Sequence, residues 1–254
     1  MDRVHHAQDK PFDLIRSAGI AIRELNPEQR HIGMLYRDSA SNQILFLHLA
    51  WHFDLRHDAP RHSYLWVDPA ITARRLVQVA AVCRLVWRAN GRNAIPYGFG
   101  PPSDCLAADT GEYLFGPTGF GLTCATFVLA VFHRAGLKLV RYAAWPIGRP
   151  GDPEWQRRIV EELRNHTPTA TLEHVRAIER DIGTTVRFRP EEVAGAATVT
   201  PQPAGFHIAC ERGEQILIRL RKPHQTQSQR ILLQSVRQWI RELWAWIKDD
   251  ILGS

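Results

Sequence analysis

"HIGMLYRDSASNQILFLHL", residues 31–49, is the stretch on which the fold turns. Its two ends, 31–36 and 44–49, are rich in the apolar and β-branched residues that suit a pleated, half-buried surface. Residues 37–43 between them are polar and hold Asp38, Ser39, Ser41 and Asn42, residue types that favour turns. The pattern predicts a β-hairpin with a longer loop. If Ile44 pairs with Leu35, His31 and His48 stand directly opposite each other on one face.

Working outward, residues 62–67 ("HSYLWV") read as a third strand. Asp68 and Pro69 then resemble an N-cap and first helical residue, and 69–89 runs without internal Pro or Gly until Asn90-Gly91 closes it, which predicts one long helix. Residues 91–121 are rich in Gly and Pro and read as loop, a place where long ordered segments are often functional. In "GFGLTCATFVLAVFHRAG", residues 119–136, Thr123 is an N-cap and Cys124 opens the first turn. The apolar run that follows is apolar all round, the mark of a central buried helix, and Gly136 fits its end.

Farther on, "KLVRYAAW" (138–145) predicts a strand. The character shifts after "GRPGDP": 154–166 and 171–183 read as amphipathic helices, and 190–205 as a Pro/Gly/Thr-rich connection. Residues 205–220 read as a hairpin turning at Arg212-Gly213, and 228–252 as an amphipathic, Trp-rich helix. The division expected is a core over 1–148 and an extension over 149–254 packed on it. The class is α+β, an antiparallel sheet packed on a central Cys-bearing helix, with a helical C-terminal extension.

The 254 residues, 44% hydrophobic and 23% charged, are ordinary for a chain with a packed core. The net charge of +6 permits contact with anionic partners, but no basic cluster interleaved with aromatics points to nucleic acid. Cys83, Cys105, Cys124 and Cys210 form no C-x-x-C pair, so neither a structural zinc nor any other metal or cofactor is expected. The N-terminus has no apolar signal-like stretch and "ILFLHLAW" is too short to span a bilayer. A soluble protein is expected, cytoplasmic or exported without such a signal.

A thiol in the first turn of a buried helix is a place to look for chemistry. First-turn amides, the helix dipole and an adjacent imidazolium all favour the thiolate. Gly119 and Gly121 would let a substrate backbone approach. The hairpin supplies a base, His31, and a second imidazole, His48, to orient it.

These residues resemble a known family. "HIGMLYRDSASNQILFLHLAW" is similar to the "HVGIY…HA" hairpin of NlpC-type proteins, and "IPYGFG" with "GFGLTCATFV" is similar to their "PYxxGG…GxDCSGFV" segment. The resemblance spans roughly residues 10–145. It implies a papain-like fold that cleaves amide bonds, commonly in cell-wall peptides, through Cys124 as nucleophile, His31 as base and His48 as orienter. Tyr97 then lines the oxyanion site with the Cys124 amide, beside Gly121 and Thr123. Here the histidines precede the cysteine, an order similar to the permuted group that includes bacterial amidase-like proteins and lecithin:retinol acyltransferase relatives. Thr123 and Ala125 stand where the family has Asp and Ser.

Other readings stay open. Cys124 read by its helix alone is a packed small residue. His48 read alone is a core histidine, with His52 and Asp54 as other third residues. His52, Asp54, His57, Asp58 and His62 invite a metal reading, yet no two of the histidines have the i, i+4 spacing of a helical H-E-x-x-H site, and the residues read as solvated loop. The function expected is hydrolysis of a peptide or acyl substrate. Acyl transfer from lipid and a non-catalytic binding module are the alternatives. The Trp-rich terminal helix is a candidate contact for a membrane or a protein.

Overall fold

The computed structural model describes residues 2–221. Six strands form one antiparallel sheet: β1 (Val4–His6), β2 (Ala18–Asn26), β3 (Gln29–Arg37), β4 (Ile44–Trp51), β5 (Asp54–Asp58) and β6 (Leu65–Val67). Their spatial order is β1-β6-β2-β3-β4-β5. Six helices follow: α1 (Ala73–Asn90), α2 (Cys124–Arg134), α3 (Asp152–His166), α4 (Leu172–Glu179), α5 (Pro190–Ala197) and α6 (Phe206–Arg221). The class is α+β. The expected helix over 228–252 lies outside the described residues.

Both faces of the sheet are covered. Alternate residues Ile20, Ile22, Ile32, Met34, Tyr36, Leu47 and Leu49 point into the main core, where α1 and α2 pack. The intervening Ala21, Leu35, Phe46 and Trp66 form a smaller cluster on the opposite face with Phe12, Ile15 and Tyr64. Every residue of α2 from Cys124 to Phe132 is buried, as its all-round apolarity predicts. Residues from α3 to α6, among them Ile159, Leu163, Val175, Val193 and Ile216, join the same core.

The hairpin forms, but two residues out of the expected register. Ile44 pairs with Arg37, not Leu35, and Leu47 with Met34. A shift of two keeps every side chain on its face, since the strand period is two. The cause is a tighter loop: Asp38 exchanges backbone hydrogen bonds with Asn42 and Gln43, and its carboxylate accepts from Ser41.

Several elements differ from expectation. The long helix starts at Ala73 rather than Pro69, and the strand before it covers only Leu65–Val67. β1, β2, β5 and α5 arise where the sequence pattern predicts no element, β5 out of the histidine-rich segment that reads as loop. Residues 138–145 hold one β-bridge, Val140 to Ala204, and a turn of 3-10 helix at Tyr142–Ala144 instead of a strand. Residues 205–220 are helix, not hairpin. Gly213 is there for close packing rather than a turn: a Cβ on facing Gly195 would sit 2.6 Å from the Gly213 nitrogen. Two glycines let α5 and α6 touch backbone to backbone.

Candidate active site

The thiol is placed by α2. Thr123 caps the helix: its hydroxyl accepts from the Thr126 N–H at 3.1 Å, and the Thr126 hydroxyl accepts from the Thr123 N–H at 2.7 Å. This reciprocal box fixes the first turn and so the position of Cys124. The sulfur is buried, faced by the amides of Ile32 and Ala125 and by the Tyr97 hydroxyl. Burial pushes the thiol up to about 11; the two amides and the hydroxyl pull the other way without reversing it. The helix terminus thus does not hold a resting thiolate, contrary to expectation, because desolvation outweighs it.

Ile32 directly follows His31, so the amide at the sulfur brings the backbone of β3 to the thiol, while alternation sends the two side chains to opposite faces, Ile32 into the core with Cys124 and His31 into a cavity on the other side. His31 Nε2 and His48 Nδ1 are 2.7 Å apart, although the register does not make them direct neighbours. The residue opposite His48 is Gly33. A Cβ there would lie 2.5 Å from His48 Cβ and 2.7 Å from the Phe46 ring. Glycine clears the diagonal, and the two imidazoles meet across it, with the Phe46 and His48 rings stacked 4.2 Å apart.

A carboxylate extends the line. Asp58 Oδ2 lies 3.6 Å from His48 Nε2. It favours the tautomer with the proton on that nitrogen, which leaves His48 Nδ1 to accept from His31 Nε2–H. His31 Nδ1 then carries a lone pair and has no hydrogen-bond partner among the described residues. His31 is held down at about 3, first by burial, then by His48 and the Arg23 and Arg56 guanidiniums. His48 is held at about 4, mainly by burial. Both imidazoles are neutral at pH 7.

Tyr97 is clamped at its backbone. Its N–H donates to His52 Nδ1 at 3.1 Å, and its carbonyl accepts from His174 Nε2 at 2.9 Å. Gly119 N–H donates to His174 Nδ1 at 3.2 Å, which sets the His174 tautomer and ties this loop to α4. Gly121 sits against the same loop, where an added Cβ would be 2.6 Å from the Gly98 nitrogen and 2.7 Å from the Pro96 oxygen. It serves the close passage of two backbone segments rather than the approach of a substrate, and Thr123 serves the helix cap.

The five residues of the imagined metal cluster go to separate partners. His52 binds Tyr97, Asp54 pairs with Arg56 and Arg92, and His57 meets the Tyr36 hydroxyl at 2.5 Å. Asp58 pairs with His48, and His62 stacks on Phe12. Among the described residues no three such side chains gather as a metal would need. The sequence pattern does not place Asp58, His52 and His174 here, since only the folded chain brings them to His48 and Tyr97.

A cavity of about 230 Å³ opens on the imidazole side of the sheet, lined by His31, His48, Arg23, Arg56, Arg61 and Tyr64 among others. Among the described residues no helix is long and apolar enough to cross a membrane. No protein-family model, curated protein or solved structure matches the chain.

Proposed function

We propose that this protein is a thiol hydrolase with a permuted papain-like core, cleaving amide bonds through Cys124, His31 and His48. The observation that carries the reading is the 2.7 Å His31–His48 contact, which leaves His31 Nδ1 unpartnered one residue from the amide that faces the Cys124 sulfur. In the proposed sequence, sulfur bonds to the carbonyl carbon as its proton passes to His31 Nδ1. The oxyanion forms near the first-turn amide of Cys124 and the Tyr97 hydroxyl that this amide faces. The proton is returned to the leaving nitrogen as the C–N bond breaks, and water then hydrolyses the thioester. His48, oriented by Asp58, holds the tautomer throughout.

A second reading is a binding module that keeps this scaffold without turnover. It is favoured by the raised thiol and by the lack, among the described residues, of a hydrogen bond from Cys124 to His31. One experiment separates the two. Peptide amides, cell-wall peptides included, are incubated with the wild-type chain and with Cys124→Ala, and acyl-enzyme is trapped at low pH for mass measurement. A thioester adduct on Cys124 with product release supports the hydrolase. Folded protein that forms no adduct and releases no product across the panel sinks it.

A further inference from the structure

The row of side chains that crosses the sheet at His31 continues beyond the two imidazoles. Arg23 on β2 is the direct cross-strand partner of His31, and Arg56 on β5 is that of His48. Arg23, His31, His48 and Arg56 therefore share one face on four adjacent strands, and all four line the same cavity. Arg61 stands at its rim. Three guanidiniums and a single carboxylate, Asp58, line this space, so it carries a net positive charge.

Among the described residues two of the three have no carboxylate of their own. Arg56 pairs with Asp54, and Asp58 lies against His48. Arg23 lies over the Tyr64 ring at 5.4 Å and makes one long bond, from Nη1 to Ser63 Oγ at 3.5 Å. Its Nε–H is shielded from water and has no acceptor among the described residues. An unsatisfied, half-buried guanidinium held by an aromatic ring beside the candidate base costs stability unless something supplies an acceptor.

We infer that this cavity binds the carboxylate of an anionic substrate, with Arg23 and Arg61 as its partners, and so selects amides that carry a carboxylate near the scissile carbonyl. A planar carboxylate matches the fork of a guanidinium. The site also links recognition to reactivity. The Arg23 and Arg56 charges, after burial and His48, are what keep a proton off His31. A bound carboxylate offsets them and makes His31 a better base when the right substrate is present. The inference rests on the hydrolase reading only in placing the scissile bond at Cys124; the binding itself does not need it.

The test is a titration of the full chain with N-acetylglycine, N-acetylglycinamide and dimethyl phosphate, following the ring resonances of isotope-labelled His31 and His48. N-acetylglycine should shift them saturably and bind at least about tenfold more tightly than the neutral amide, as one charge-assisted contact supplies. Arg23→Gln should erase that preference, and Arg61→Gln on the exposed rim should reduce it. Arg176→Gln, which removes the same charge from exposed α4, should leave it intact. Equal binding of acid and amide, no saturable shift by either, or an undiminished preference in Arg23→Gln and Arg61→Gln overturns the inference. Tighter binding of dimethyl phosphate overturns the carboxylate assignment. Carboxylate binding in a chain whose Cys124 forms no acyl adduct would sink the hydrolase reading and leave this one standing.

Discussion

Gly33→Ala addresses fold and site together. The new methyl would sit 2.5 Å from His48 Cβ, 2.7 Å from the Phe46 ring and 3.0 Å from the Leu47 oxygen. Ordinary contact begins near 3.4 Å, so the strands must part by the better part of an ångström. One of the three obstacles is backbone and another is attached directly to it, so neither can swing aside. Overpacking of this kind costs about 1–3 kcal/mol. Loss of the His31–His48 bond adds about 1 kcal/mol. The reduced freedom of the unfolded chain returns about 0.4–1 kcal/mol. The net expectation is a destabilisation of about 1–3 kcal/mol, read as a shift of the urea midpoint at unchanged slope. Gly116→Ala is the control. Nothing lies within 4 Å of its Cβ and its φ is not in the left-handed region, so it should cost nothing and gain at most what the restricted unfolded chain returns, about 0.4–1 kcal/mol. The reasoning is refuted if Gly33→Ala is as stable as Gly116→Ala and keeps the coupled His31 and His48 ring resonances of the wild type.

Acid should unfold the protein early. His31, His48 and His52 are held at about 3, 4 and 4 against an ordinary 6.5, in each case chiefly by burial. As pH falls below 6.5 the unfolded chain takes up protons that the folded one refuses. Stability is therefore full above about 6.5 and is lost as pH falls toward 4, by up to about 2 kcal/mol per histidine at pH 5. Urea midpoints that stay level between pH 7.5 and 5 would contradict this. Alkylation of Cys124 by iodoacetamide should climb steadily with pH toward about 11, and a plateau near neutrality would show a thiolate that burial does not permit. Tyr97→Phe removes a hydroxyl that favours the thiolate, so alkylation at pH 8 should slow several-fold with about 1 kcal/mol of lost stability; unchanged kinetics would remove Tyr97 from the site. Thr123→Ala deletes the cap of α2 and should cost about 1 kcal/mol by urea denaturation, with no cost if the reciprocal Thr126 bond suffices alone.

Much of this architecture was legible because it is encoded locally. Alternation in residues 31–36 and 44–49 depends only on the two-residue period of a strand, and both strands form. The cap at Thr123 and the all-round burial of α2 follow from side chains within one turn of each other. The same locality explains the errors. Residues 205–220 alternate well enough for strands, and Gly213 looks like a turn until Gly195 of another helix is laid against it. Residues 54–58 look solvated because their polar side chains find partners in distant segments: Asp54 on Arg92, His57 on Tyr36, Asp58 on His48.

The amino-acid sequence by itself determined that a thiol opens a buried helix, that two histidines lie on one face of a hairpin, and that sheet and helices pack as α+β. Each of these is a matter of period and spacing along the chain. Tertiary structure alone decided how the imidazoles meet. The loop chose a register two residues away from the expected one, and the missing side chain at Gly33 let His48 reach His31 along the diagonal. It also decided the charge state of the site. The helix dipole acts over one turn and favours a thiolate, but the sheet and loops that close over Cys124 remove its water, and the loss of hydration is the larger effect.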